Sequence, residues 1–202
     1  MKLYYAQNTR AVRVAWLLEE LGLDYDLEKL ELGSPEMRTP EFRKIHPMGR
    51  VPVLEDGDIR IFESGAIIQY VLALYGNGRL QPAVRTAEFA QYLQWFHYCE
   101  GMIMPPINTL VVETILLPPE RRTELNVKRA SKLLHQMLTA VEAHMEGRDF
   151  IAGEFSAADI MTGHSVTVSR DMLGIDFGDL PNLSGYADRL LARPALQKAR
   201  SL

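Results

Sequence analysis

The apolar pattern of this chain changes period once, and that change constrains the fold more than any other feature. Up to about residue 75, short apolar runs of strand type alternate with helix-spaced stretches. Beyond Gly76-Asn77-Gly78 only helical spacing is left. A chain of 202 residues has room for two small domains. The expected division is an α/β domain over 1–77 and an all-helical domain over 86–202.

The first part reads β-α-β, a loop, then β-β-α. Leu3 to Tyr5 is a short apolar and aromatic strand. Val14, Leu17, Leu18 and Leu21 follow at helical spacing, and Gly22 caps that helix. Asp24 to Leu32 alternates, with a slip between Leu27 and Leu30. Val51, Val53 and Leu54 form a strand, and Asp56-Gly57 turns it back into Ile59, Ile61 and Phe62. Ser64 is expected to cap a helix carrying Ile67, Val71 and Leu74. A crossover helix implies parallel strands, and the hairpin adds an antiparallel edge.

The second part is helical throughout. Thr86 to Met104 is aromatic-rich, and Pro105-Pro106 is expected to stop it. Pro118-Pro119 is expected to open the next helix. Ala130, Leu134, Met137, Val141 and Met145 form an apolar stripe, read as core. Another helix begins at Ser156, where Asp159 completes a capping box, and the last runs from about Asn182 to Arg193.

Composition excludes several function classes. Hydrophobic residues make up 47% and charged residues 24%, and the formal net charge is −4. Nucleic-acid binding calls for a basic face that this balance does not favour. No apolar run reaches the ~20 residues of a membrane span, and the first residues lack a secretory apolar core. Cys99 is the single cysteine, so no intrachain disulfide forms and a reducing cytoplasm is the expected location. It is read as a small buried apolar residue. The five histidines are dispersed, so no metal site is expected.

Two segments carry chemistry. In His46-Pro47-Met48-Gly49-Arg50-Val51-Pro52-Val53-Leu54 a proline, Pro52, precedes a short strand, where it cannot donate to a ladder. A cis Val51–Pro52 bond is open to it, as is a plain trans proline. In Glu63-Ser64 a strand ends and a helix begins. Helix N–H groups and a serine hydroxyl suit an anion, and the glutamate suits an ammonium. Together they fit a zwitterionic amino-acid head group, although read alone the pair is also an ordinary helix start.

These segments, in this order, resemble the glutathione transferase superfamily of the cytosolic, bacterial-like type. Trp16-Leu17-Leu18-Glu19-Glu20-Leu21-Gly22, Glu63-Ser64-Gly65-Ala66, the Ser156/Asp159 box and Arg193-Pro194-Ala195 extend the resemblance over nearly the whole chain. It implies a thioredoxin-like first domain and a helical-bundle second domain, with glutathione as co-substrate. Pro52 would be the cis-proline that leaves the Val51 backbone to pair with the cysteinyl part. Glu63 and Ser64 would hold the γ-glutamyl head, and Arg50 the glycyl end. Where some relatives have a histidine this chain has Met37, so Arg38 or Arg43 would substitute.

The resemblance places the thiol-activating group near the end of the first strand. Thr9, Tyr5 and Asn8 are the three candidates, with helix capping as the alternative role for Thr9 and Asn8. Tyr92, His97, Tyr98, Met102 and Met104 are candidates for a pocket receiving a small hydrophobic electrophile, or else for core. The implied activity is conjugation of glutathione to that electrophile, by a homodimer. An isomerase, dehalogenase or peroxidase on the same scaffold, or a non-catalytic glutathione-binding module, remain alternatives.

Overall fold

The computed structural model describes all 202 residues, Met1–Leu202. The chain forms two compact units, one of Met1–Leu80 with Leu191–Leu202, the other of Gln81–Leu190. This corrects the expected boundary, because the last dozen residues belong to the first unit.

The first unit is a four-stranded sheet with helices, a thioredoxin-like arrangement. Its strands are β1 (Lys2–Tyr5), β2 (Asp26–Lys29), β3 (Val53–Asp56) and β4 (Ile59–Phe62), in spatial order β2-β1-β3-β4. β1 pairs β2 in parallel and β3 antiparallel, and β3 pairs β4 antiparallel. Helix α1 (Ala11–Leu21) makes the crossover between β1 and β2. Nine of its eleven residues are buried, Trp16 and Leu17 completely. Each such large apolar side chain contributes roughly 1.5–3 kcal/mol. Gly22 ends the helix in the left-handed conformation at φ 66°, where a side chain would be strained.

The segment expected as a loop holds a helix, α2 (Pro40–Ile45). Thr39 caps it by accepting the Phe42 N–H at 3.2 Å, and Pro40 sits in its first turn. At six residues it is too short for periodicity to reveal. Helix α3 (Ser64–Tyr75) follows β4. Its cap residue is Glu63, and Ser64 is already the first helical residue, so the helix starts one residue earlier than expected.

The second unit is helical. Thr86 caps α4 (Ala87–Tyr98) by accepting the Phe89 N–H at 3.2 Å. Pro105-Pro106 does not stop the helical path. A π turn over Cys99–Ile103 carries it into α5 (Met104–Val111), with proline in the first turn of the new segment. A helix can restart at proline because first-turn N–H groups need no intrahelical partner. Nor does Pro118-Pro119 open α6. Pro119–Arg121 is a short 3-10 turn, and α6 (Glu124–His144) begins after Thr123. Glu113 reaches that start, accepting the Thr123 N–H at 2.7 Å and the Asn126 amide at 2.6 Å. The buried stripe of α6 is Ala130, Leu134, Leu138 and Val141, and Met145 beyond its end is buried too. Leu138 takes the place expected of Met137, which is half-buried.

A helical turn does begin after Ser156, continuing through a π turn, Asp159–Gly163, into α7 (His164–Thr167). Asp159 accepts the Ser156 N–H and hydroxyl at 2.9 and 3.1 Å, as the capping box requires. The helix expected from about Asn182 to Arg193 is α8 (Pro181–Leu191), and a further helix not expected from the sequence, α9 (Pro194–Ser201), starts at Pro194. No helix is long and apolar enough to cross a membrane.

Candidate functional site

Strand register brings three segments to one end of the sheet. Tyr4 pairs with Val53, and Val53 with Phe62. Because β1 and β3 are antiparallel, and β3 and β4 likewise, the residues after Tyr5, before Val53 and after Phe62 all leave the sheet at that end. Thr9, Val51 and Glu63-Ser64 are therefore neighbours by topology.

Val51 and Pro52 are joined by a cis peptide bond. Val51 precedes the first ladder pair, so its backbone lies beyond the β1–β3 pairing. The turn leading to it needs glycine at 49. Gly49 has φ 61°, and a Cβ there would sit 2.2 Å from the Met37 carbonyl oxygen. Arg50 is exposed beside it.

Glu63 is exposed and has φ 74°, a conformation rare for a residue with a side chain. The first bond of α3 runs from the Ile67 N–H to the Glu63 carbonyl at 2.9 Å. The N–H groups of Ser64, Gly65 and Ala66 thus head the helix without intrahelical partners. Ser64 is buried, and its hydroxyl accepts from Arg13 Nη1 across a long 3.4 Å contact. The serine proton then remains to donate. An acid acceptor, a hydroxyl donor and helix N–H groups converge here, with a buried guanidinium behind them. Such a set holds an ammonium and a carboxylate on one carbon.

The three thiol-activating candidates separate. Tyr5 is fully buried, and its hydroxyl donates to the Ala199 carbonyl at 2.8 Å within the first unit. Burial also raises its pKa. That is a correction: its single proton is committed to the C-terminal helix. Thr9 is half-buried; its hydroxyl donates to the Ala6 carbonyl at 2.6 Å and accepts the Ala11 N–H at 3.1 Å. It holds the turn into α1 from one residue before the N-cap position, which is Arg10, where no side-chain capping bond is made. Asn8 is exposed, with φ 60°.

Met37 is buried in a cluster with Tyr4, Leu30, Phe42 and Val53, which explains an apolar residue there. Arg38 and Arg43 are exposed nearby in sequence, on a 3-10 turn and on α2. In the second unit, Tyr92 is buried and packs against Phe89 and Phe96, and Met104 is buried. The Tyr98 hydroxyl donates to the Met137 carbonyl at 3.1 Å. These three pack within the second unit, as the core alternative for them expected. His97 and Met102 are exposed. Cys99 is buried, 3.2 Å from the Met161 carbonyl and 3.1 Å from the Ser165 hydroxyl. No group of three or more His, Cys, Asp or Glu is placed to hold a metal ion.

Arg13 is the residue of this region that sequence reasoning passed over, and His46, which opens the cis-proline segment, was given no role of its own. Arg13 had a signal: a charge inside an otherwise apolar helical stretch, Ala11 to Leu18, is buried only with partners.

Family models for the glutathione S-transferase N-terminal and C-terminal domains match residues 1–73 and 103–194. Glutathione S-transferase 4 of Zea mays is 32% identical over 198 residues, covering 92% of this chain and 85% of the relative. The chain belongs to the glutathione S-transferase family. Among solved structures, a glutathione transferase of Phanerochaete chrysosporium in complex with oxidized glutathione superposes with TM-score 0.87. Its identity is 26%, with 99% of this chain and 94% of that one covered. A glutathione transferase of Pseudomonas putida, with one glutathione disulfide bound per subunit, gives TM-score 0.88 at 26% identity. Coverage there is 100% of this chain and 90% of that one.

Proposed function

We propose that this glutathione S-transferase family member binds glutathione and activates its thiol for attack on a small hydrophobic electrophile. The observation that carries the reading is the register Tyr4–Val53–Phe62, which gathers Thr9, Val51, Glu63 and Ser64 at one end of the sheet. Family membership and the glutathione species held by the two solved relatives support it.

In this reading Glu63 pairs with the ligand's α-ammonium. Ser64 and the α3 N–H groups take its α-carboxylate. The Val51 backbone pairs with the cysteinyl amide as a short added strand. Arg50, with Arg38, faces the glycyl carboxylate. A free thiol near ~8.5 is mostly protonated at neutral pH, and lowering it two units needs about 2.7 kcal/mol of thiolate preference. The Thr9 hydroxyl and the N-terminal dipole of α1 supply this together. Turning the Thr9 proton toward sulfur exchanges its bond to the Ala6 carbonyl for a charge-assisted one. Asn8 is the second candidate donor. Of the residues expected to meet the electrophile, His97 and Met102 stay in the reading, and the active species is a cytoplasmic homodimer.

Calorimetry with reduced glutathione, then conjugation of a general aromatic electrophile, tests the reading. Binding with turnover is expected. Binding without turnover on any electrophile would leave a non-catalytic module, and no binding at millimolar glutathione would sink the reading.

A further inference from the structure

His46 sits between the two arms of the candidate site. Its N–H ends α2 by donating to the Phe42 carbonyl at 2.9 Å, and its carbonyl accepts the Gly49 N–H at 2.8 Å. Its ring Nδ1 accepts the Met48 N–H at 3.1 Å. One residue thus closes the 46–49 turn twice, by main chain and by side chain, as an Asx residue does in an Asx turn. That turn delivers Arg50 and Val51. The other side of the ring lies on Phe62, with centroids 4.7 Å apart, and Phe62 is the residue before Glu63. The residue as a whole is 6% exposed.

We propose that His46, as the neutral Nε2–H tautomer, is a positioning residue for glutathione binding, holding the Arg50-Val51 turn against the Glu63 end of β4. This rests on the glutathione-binding reading above. Nδ1 can accept the Met48 N–H only while it carries no proton. Protonation puts a hydrogen on Nδ1, sets donor against donor, and opens the turn. It also places a cation beside Glu63, where the ligand's ammonium is to sit.

The charged groups facing the ring are Glu63, at the head of α3, and Arg50, on its own turn. Burial lowers the His46 pKa and is the largest influence; Glu63 raises it and Arg50 lowers it, with a net fall below 6.5. The neutral form therefore prevails at pH 7. The contribution of the turn is lost as pH falls through the lowered value.

The test is glutathione affinity by calorimetry from pH 8 to pH 5, on the full chain and two variants, with thermal unfolding followed in parallel. His46→Asn keeps an acceptor for the Met48 N–H but does not titrate. His46→Leu removes the acceptor. The parent is expected to lose affinity toward the acid end of this range, as His46 takes up its proton at a pH below the ordinary histidine value. His46→Asn should stay within about threefold of the parent at pH 7 and lose the acid limb. His46→Leu should bind about five- to thirty-fold more weakly at every pH.

An acid limb unchanged in His46→Asn, or parent-like affinity in His46→Leu, overturns the proposal. If His46→Leu does not fold, the His46→Asn profile alone decides. A parent that binds no glutathione at any pH instead overturns the functional reading on which the proposal stands.

Discussion

Glu20 and Arg193, 173 residues apart, form a two-pronged ion pair: Nε reaches Oε1 at 2.6 Å and Nη2 reaches Oε2 at 2.8 Å. Glu20 Oε1 also accepts the Trp16 indole N–H at 2.8 Å. The pair ties α1 to the segment that begins α9, inside the first unit. Arg193→Ala is expected to lower stability by about 1–3 kcal/mol, since a mostly buried carboxylate loses a bidentate partner. Urea unfolding of Arg193→Ala, Glu20→Gln and the double variant measures this. Strictly additive losses would mean that the two side chains are not coupled.

Tyr5→Phe separates packing from chemistry. The change leaves the Ala199 carbonyl without its donor, so a stability loss of about 1 kcal/mol is expected. Glutathione affinity and the thiolate absorbance titration of the binary complex should both be unmoved. A raised thiol pKa in Tyr5→Phe would return Tyr5 to the catalytic role.

Thr9→Ala should spare glutathione affinity yet raise the pKa of the bound thiol, lowering turnover at neutral pH more than at pH 9. It should also cost about 1 kcal/mol of stability, because the Ala11 N–H loses its acceptor. Thr9→Ser should restore both. If the thiolate titration of Thr9→Ala matches the parent, Thr9 is a turn residue only, and Asn8 inherits the assignment.

At the head of α3, Glu63→Ala is expected to weaken glutathione binding by roughly 2–3 kcal/mol, about 30- to 150-fold, by leaving the ligand's ammonium unpaired. Ser64→Ala should lose less, about 1–2 kcal/mol. Since Ser64 is held by Arg13, Arg13→Met should weaken binding in the parent but add little to Ser64→Ala. A full additional loss in the double variant would show that Arg13 acts independently of Ser64.

Asp159 is the polar centre of the second unit. It is fully buried and accepts from the Ile151 N–H, the Ser156 N–H and hydroxyl, and the Tyr186 hydroxyl, between 2.8 and 3.1 Å. Asp159→Ala strands several buried donors at once, and a loss of at least about 3 kcal/mol is expected. An unfolding midpoint near the parent's would show that the cluster is dispensable.

Several parts of this architecture were written in local sequence. The change of period gave away the α/β-then-α order, because strand and helix bury apolar residues at different spacings. Gly22, Thr86 and the Ser156/Asp159 box act where they stand, since a cap is satisfied within a few residues. Glu63-Ser64 was legible for the same reason: a helix start is local.

Tertiary structure decided whatever depended on a distant partner. Tyr5 looked catalytic by position, and only the arrival of Ala199 showed that its hydroxyl is spoken for. Residues 191–202 read as the end of the helical domain, whereas α9 packs on α1 in the first unit. The prolines at 105 and 106 looked like a stop, because the rule for an interior proline does not foresee a helix restarting through a π turn. Tyr92 and Met104 became core by burial that no spacing reveals. His46 held no signal beyond its identity, for its role lies in a turn it closes and a ring it touches sixteen residues away. Local caps and periods are short-range energies that one segment carries alone. Partnership in a core depends on which segments the whole chain brings together.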